Sequence, residues 1–383
     1  MNLDAANTQN YTPERLGRGT MQKAFMKTRS SLLIAIVSSA SLFAAISIAQ
    51  DQKVSENPSV PSAKNAGRVL QLKEIWRITD DGGQFYFKHP YGLEIAPDGR
   101  IFLKDEAQLL RFGPDGKFKK NLYKEGQGPG EISKNFSYCL DGDLLLIRDW
   151  GNRRFFRMNA EGVYQNSLDR EIGQSSPLGA RPDGYIVMES DWPLEKERTG
   201  KLLPLLEHIS LVSRDGKAKR RIHTFQCRWF MTQSVCSQWD ADLTALGDDG
   251  RFLVGCHASK YLIEILDIDA GQIIRSFSRK YSSIKHEVTI PEKGLAARSG
   301  IPPSEYEWDV QDLFADGKAI WVKTSTSDPA KGDLYDVFDY DGRYVDSFYL
   351  GPGRSLMKIR GNDLYSLEKD AKDNFFIVKY RLN

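Results

Sequence analysis

From Val69 to Leu382 the chain alternates short apolar and β-branched runs with Asp-Gly and Gly-rich turns, and helical periods are scarce. Runs of about four to eight residues with a period of two predict strands, and Asp-Gly supplies the positive φ that a tight hairpin turn needs. The first full unit reads GLEIA, Pro97-Asp98-Gly99, RIFLKD, QLLRF, Gly113-Pro114-Asp115-Gly116 and KFKKNLY. This predicts a strand quartet, A to D, with tight turns joining A to B and C to D.

The quartet recurs. Turns at Asp141-Gly142 and Ala160-Glu161-Gly162 mark a second unit, and Pro182-Asp183-Gly184 and Asp215-Gly216 mark a third. Asp249-Gly250 with Ala270-Gly271 and Asp316-Gly317 with Asp341-Gly342 mark the next two. The sixth, around Gly361-Asn362-Asp363, stops at FFIVKYRL without a fourth strand, while VLQLKEIWRI (69–78) stands unassigned ahead of the first. The sequence therefore predicts an all-β, six-bladed β-propeller in which the N-terminal strand completes the last blade. That closure leaves no sheet edge open between the first and last units.

Particular residues carry a resemblance as well. Phe87-Lys88-His89-Pro90-Tyr91-Gly92-Leu93-Glu94-Ile95-Ala96-Pro97-Asp98-Gly99-Arg100-Ile101-Phe102-Leu103 resembles an NHL repeat, as does Arg148-Asp149-Trp150-Gly151-Asn152-Arg153-Arg154-Phe155-Phe156. Gly126-Gln127-Gly128-Pro129-Gly130-Glu131 is similar to a loop of exported bacterial six-bladed propeller proteins. The resemblance is clear in units one and two, rests on spacing in the others, and spans about residues 69–383. It implies architecture; because one fold hosts many functions, it implies no activity.

Ahead of the repeats lie three segments. Leu32–Ala49 is an uncharged run of 18 residues preceded by Lys23, Lys27 and Arg29 and ended by Ser47-Ile48-Ala49. That is the pattern of a cleaved secretory signal peptide, assigned to 26–49, with 1–25 as an upstream extension before Met26. The alternative is an uncleaved membrane anchor, and either way the remainder is exported, to the periplasm or beyond the cell. Residues 50–68 are polar, contain two prolines and show no apolar period, which predicts a linker.

Charge narrows the partners. The chain has 53 Lys and Arg against 51 Asp and Glu, and residues 1–49 hold five of the basic and two of the acidic groups. What remains is 48 basic and 49 acidic residues, which gives no broad basic surface for nucleic acid. The zinc-protease, nucleophile-elbow and phosphate-loop motifs are all missing.

The geometry that the resemblance implies gathers the A–B and C–D turns on one face and the B–C and D–A connections on the other. The second face takes every long insertion: Asp191–Leu206, Ile222–Asp242, Ser278–Asp309 and the Gly-rich 126–131. Long loops on a rigid scaffold are where binding usually resides. Seven residues before the turn aspartates Asp249 and Asp316 stand Asp242 and Asp309, beside Trp239-Asp240 and Trp308. With His89 and Tyr91 of unit one, these are the candidate ligand-binding residues at the channel mouth. Paired carboxylates between indoles can hold a cation or a basic group, while Asp at a strand start also commonly bonds backbone. The cluster Arg148 to Arg154 on the B–C turn of unit two is open to the same two readings, ligand site or turn contact.

Of four cysteines, Cys227 and Cys236 bracket a segment of one long insertion and are expected to form a disulfide; Cys139 and Cys256 read as buried small hydrophobes. The preferred function is a non-catalytic binding propeller that offers its long-loop face to a protein, peptide or glycan and needs no cofactor. The alternative is a metal-dependent lactonase- or esterase-like hydrolase, with Asp242, Asp309 and His89 around a divalent metal. A catalytic metal usually takes three or more protein ligands and only two align, which favours binding.

Overall fold

The structure, a computed structural model, describes residues 54–80, 82–168, 175–194, 197–232, 236–238, 240, 242–286 and 305–382, with backbone alone at 236–238 and 242. The expected extension 1–25 and leader 26–49 lie outside these residues. Three segments come first: β1 (Ser55–Asn57), β2 (Arg68–Val69) and β3 (Leu72–Ile78). Blade one is β4 (Pro90–Ile95), β5 (Ile101–Asp105), β6 (Gln108–Phe112) and β7 (Phe118–Asn121). Blade two is β8 (Phe136–Asp141), β9 (Leu144–Asp149), β10 (Arg154–Asn159) and β11 (Tyr164–Ser167). Blade three is β12 (Ser175–Arg181), β13 (Gly184–Ser190), β14 (Lys201–Ser213), β15 (Lys219–Met231) and β16 (Cys236–Gln238). Blade four is β17 (Asp242–Leu246), β18 (Phe252–His257), β19 (Leu262–Asp267) and β20 (Gln272–Arg279). Blade five is β21 (Val310–Ala315), β22 (Ile320–Asp328), β23 (Gly332–Phe338) and β24 (Tyr344–Tyr349). Blade six is β25 (Ser355–Arg360), β26 (Asp363–Lys369) and β27 (Phe375–Leu382), completed by β3.

The inner strands β4, β8, β12, β17, β21 and β25 pack side by side in turn, and β25 packs on β4, so the sheets form a closed six-bladed β-propeller. The closing strand is the expected one. Antiparallel pairing sets Ile78 opposite Ile377 and Leu72 opposite Leu382. Two faces of each sheet must be buried, and the period of two divides the work. Phe102 joins Phe136, Leu145 and Ile147 between blades one and two, while its neighbours Ile101 and Leu103 join Tyr365 and Ile377 between blades one and six. Similar apolar clusters fill the other seams, as at Ile186 and Leu253 between blades three and four or Val254 and Val322 between four and five. The turn at Gly342 needs its glycine: φ is +80° and a Cβ would stand 2.7 Å from the Phe277 ring of blade four.

Three expectations are corrected. First, the 50–68 segment is not a free linker where it is described. β1 pairs in parallel with β20 and β2 with β24, giving blades four and five a fifth strand. Asn57 donates to the carbonyls of Ser278 (3.0 Å) and Gly342 (2.8 Å), and Arg68 makes a two-point ion pair with Asp346 at 2.8 and 2.9 Å. An outer edge offers unpaired backbone groups, and a polar segment can satisfy them without any apolar period.

Second, much of the insertions at Asp191–Leu206 and Ile222–Asp242 is strand. β14 and β15 are 13 residues each, and their extension carries a small core of Leu205, Cys227 and Met231. Third, the register opposes Cys236 to Met231, four residues along β15 from Cys227. At about 3.3 Å per residue this separates the two cysteines by about 13 Å, against the 4.4–6.8 Å between Cα atoms, roughly, that a disulfide spans. The expected Cys227–Cys236 bridge does not fit this ladder. Cys139 and Cys256 are buried, as expected, and burial pushes the Cys139 thiol up.

Candidate functional site

The six inner strands start on the face that carries the B–C and D–A connections. Five of them, β4, β12, β17, β21 and β25, line a cavity of about 470 Å³ that reaches this face at Pro90, Tyr91 and Ser355, residues at the starts of β4 and β25. Its wall is apolar at Leu178, Leu246, Phe314 and Met357, with a few polar groups set among them. Lys358 Nζ lies 3.1 Å from Glu94 Oε2, an ion pair that links blades six and one. Asp312 of blade five accepts the Leu313 N–H at 2.8 Å. Burial holds its carboxyl above the usual range, against the Leu313 bond and the charge of Lys323.

Tyr91 is 48% exposed at the mouth and covers a buried cation. Lys104 is 5% exposed; its Nζ sits 4.8 Å from the centroid of Tyr91 and 4.3 Å from that of Phe136, and donates to the Phe136 carbonyl. Burial pulls its pKa from 10.5 down to about 8.

The expected residues are placed differently from one another. Tyr91 lines the cavity. His89 is exposed, and its backbone N–H donates to Asp105 Oδ1 at 2.8 Å. Asp240 makes a two-point ion pair with Arg228 at 2.5 and 3.1 Å, so it holds β15 rather than a ligand. Trp308 packs on the apolar seam of blades four and five. Asp309 is 6% exposed with Oδ1 unpartnered, and burial holds its carboxyl above the usual range, opposed by Ser283 and Arg279. Trp239 and the side chain of Asp242 lie outside the described residues.

The matched spacing of Asp242 and Asp309 does not survive the ladder. Asp242 opposes His257 on β18, but the equivalent place on β21, opposite Thr324, belongs to Val310. The A–B turn of blade five, between Ala315 and Ile320, is two residues shorter than that of blade four, between Leu246 and Leu253. A β-bulge between Val310 and Asp312 recovers one of the two, which leaves Asp309 one residue out of step. Among the described residues, no group of three His, Cys, Asp or Glu side chains converges as a metal site.

Sequence reading missed Lys104, Glu94, Asp312 and Lys358. Alternate residues of the inner strands were the available signal for three of them. It also missed Asp105, wholly buried at the end of β5, where it accepts the N–H groups of Lys88 and His89. Asp149, named within the Arg148 to Arg154 cluster, is wholly buried at the end of β9 and makes turn contacts, accepting the Ser133 N–H in the same way, so both pin the D–A connections. The repeated Leu-Lys-Asp and Ile-Arg-Asp endings mark both.

No protein-family model and no curated protein matches this chain. Solved structures do. A protein described as exported, from Bacteroides fragilis, superposes with a TM-score of 0.51 at 11% identity, covering 86% of this chain and 100% of that one. A DUF4221 family member from Bacteroides vulgatus gives a TM-score of 0.50 at 10% identity, covering 82% and 98%. At such identities the likeness shows the six-bladed fold. A gluconolactonase from Xanthomonas campestris, at 12% identity over 86% and 99% of the chains, has a TM-score of 0.45, too low to bear on activity.

Proposed function

We propose that this chain is an exported, non-catalytic binding propeller that takes a neutral glycan segment at the mouth of its central channel. The observation that carries the reading is the cavity itself: about 470 Å³, open on the long-loop face, with Tyr91 half exposed at its rim. Ligand sites are typically concave, apolar in the main, and set with a few polar groups. An exposed phenol ring offers a flat apolar surface to the C–H face of a sugar. The Glu94–Lys358 pair and Asp312 supply both acceptors and a donor to hydroxyls, which can play either role. Export rests on the basic flank, apolar run and small-residue end of 23–49, and the likeness of 126–131 to a loop of exported six-bladed propellers supports it.

The test uses protein purified from the exported fraction, whose N-terminus should read Gln50 or a near neighbour by mass spectrometry. Neutral oligosaccharides and unrelated peptides are titrated calorimetrically against it and against Tyr91→Ala and Asp312→Asn. Oligosaccharide binding that weakens roughly ten-fold or more in either variant supports the reading. Binding of peptides alone, or saccharide binding untouched by both substitutions, overturns it.

A further inference from the structure

Blade two carries a cation whose charged form burial disfavours; only the charge of the adjacent Asp149 opposes that, and no hydrogen-bonded counter-ion meets it among the described residues. Arg148 is 3% exposed, near the outer end of β9 on the long-loop face. The strand register sets it between Ser137 and Phe155 on the side of the sheet that packs against blade three. Below it on the same side, Cys139, Leu146 and Phe155 meet Tyr185 and Val187 in an apolar cluster, and the polar groups of the seam, Asp141 with the Tyr185 hydroxyl, lie beyond it at the other end of β8. The guanidinium lies 4.6 Å from the Trp150 ring centroid and 4.8 Å from that of Phe155. Trp150 is itself held, donating from Nε1 to Ser137 Oγ at 3.3 Å and from its backbone N–H to the Asn135 carbonyl at 3.0 Å.

Among the described residues, no acceptor meets Arg148, and its Nε is shut off from solvent without a partner. The adjacent Asp149 is spent elsewhere. Its oxygens accept from Ser133 N and Oγ (3.2 and 2.5 Å), Asn152 N and Nδ2 (3.3 and 2.7 Å) and Arg154 Nε (3.3 Å). Other largely buried arginine side chains of this chain are not left so: Arg279 has Asp336, and Arg157 has Asp141. A buried charge without a hydrogen-bonded counter-ion is costly, and stacked rings recover only part of that cost. The rings cover the faces of the guanidinium, so what stays open to a ligand is its edge, the fork that takes a planar oxyanion at two points.

We propose that Arg148, with the Ser137 hydroxyl beside it and Trp150 and Phe155 as walls, is a carboxylate-binding site on the long-loop face at the seam of blades two and three. It is separate from the channel, and it takes an acidic group of a small ligand. The rings hold the guanidinium in place, and Ser137 fixes the Trp150 ring, so little side-chain entropy is lost on binding.

The experiment measures the thermal midpoint of the full exported protein in sodium acetate, sodium glucuronate and inorganic phosphate, with ionic strength matched by chloride. A ligand that binds only the folded state raises the midpoint in proportion to its occupancy. The expected result is a rise of a few degrees with acetate and glucuronate over chloride in the wild type. Arg148→Lys, which keeps the charge but not the fork, should lose most of that rise, and Arg148→Met all of it. Arg148→Met should also melt no lower than the wild type without ligand, since it removes a buried charge that has no hydrogen-bonded counter-ion. No carboxylate response over chloride in the wild type overturns the site, as does a full response in Arg148→Lys. A response to phosphate alone overturns the carboxylate assignment. An Arg148→Met protein that melts well below the wild type without ligand would mark Arg148 as a structural cation and overturn it too. Glycan binding at Tyr91 is measured independently, so the two readings can fail separately.

Discussion

Lys104 makes a sharp test of the electrostatics at the channel mouth. Its ammonium is almost wholly buried, ringed by Tyr91 and Phe136, with one carbonyl acceptor and no carboxylate. Burial disfavours the charged form, so the folded pKa, about 8, lies below the unfolded value near 10.5. A lysine whose pKa is lowered on folding destabilises the protein wherever both states are protonated, and the penalty fades as pH rises from about 8 past 10. One pKa unit corresponds to about 1.4 kcal/mol, so the full penalty below pH 7 is about 3 kcal/mol. Linkage then gives a recovery of about 1 kcal/mol between pH 7 and 9, and of about 2–3 kcal/mol by pH 10. The assay is urea unfolding of the wild type and Lys104→Met at pH 7, 9 and 10, reading the difference between them so that other titrating groups cancel. The stability of Lys104→Met relative to wild type should fall by those amounts across the range. A difference that stays flat from pH 7 to 10, or that grows, would refute the assignment of a desolvated, unpaired ammonium.

Two further outcomes bear on the fold. Asp336, wholly buried, accepts from Tyr261, from Tyr344 at 2.5 Å and from Arg279 Nε at 2.6 Å, and the Arg279 side chain is 7% exposed. Asp336→Ala leaves that guanidinium unbalanced in the seam of blades four and five and should cost about 3–5 kcal/mol in urea titration; a loss under about 1 kcal/mol would mean the seam does not depend on the pair. A chain begun at Leu70 loses β1 and β2, whereas one begun at Thr79 also loses β3 and uncovers β27. The second truncation should be less stable than the first by at least about 3 kcal/mol, from the lost ladder and the burial of Ile78, and equal stability would contradict closure by β3.

What the sequence determined by itself was the repeat. Asp-Gly turns and period-two runs are local signals, because positive φ and the pleat are properties of a few consecutive residues. The unit count and the unpaired strand at 69–78 then left one way to close the ring. Tertiary structure decided the rest, for reasons that spacing does not record. A polar stretch such as Ser55–Asn57 becomes a strand only because the outer edge of blade four is there to pair with it. A shorter A–B turn in blade five, only partly offset by the bulge in β21, breaks the apparent match of Asp242 and Asp309, and where the pairing begins and slips is set by the neighbouring strand rather than by spacing from the turn aspartate. The register of β15 on β16 separates two cysteines that lie close in sequence. Lys104 and Arg148 look like ordinary surface cations at their positions in the chain. They become buried charges without a hydrogen-bonded counter-ion only when blades two and three close over them, which depends on residues far away in sequence.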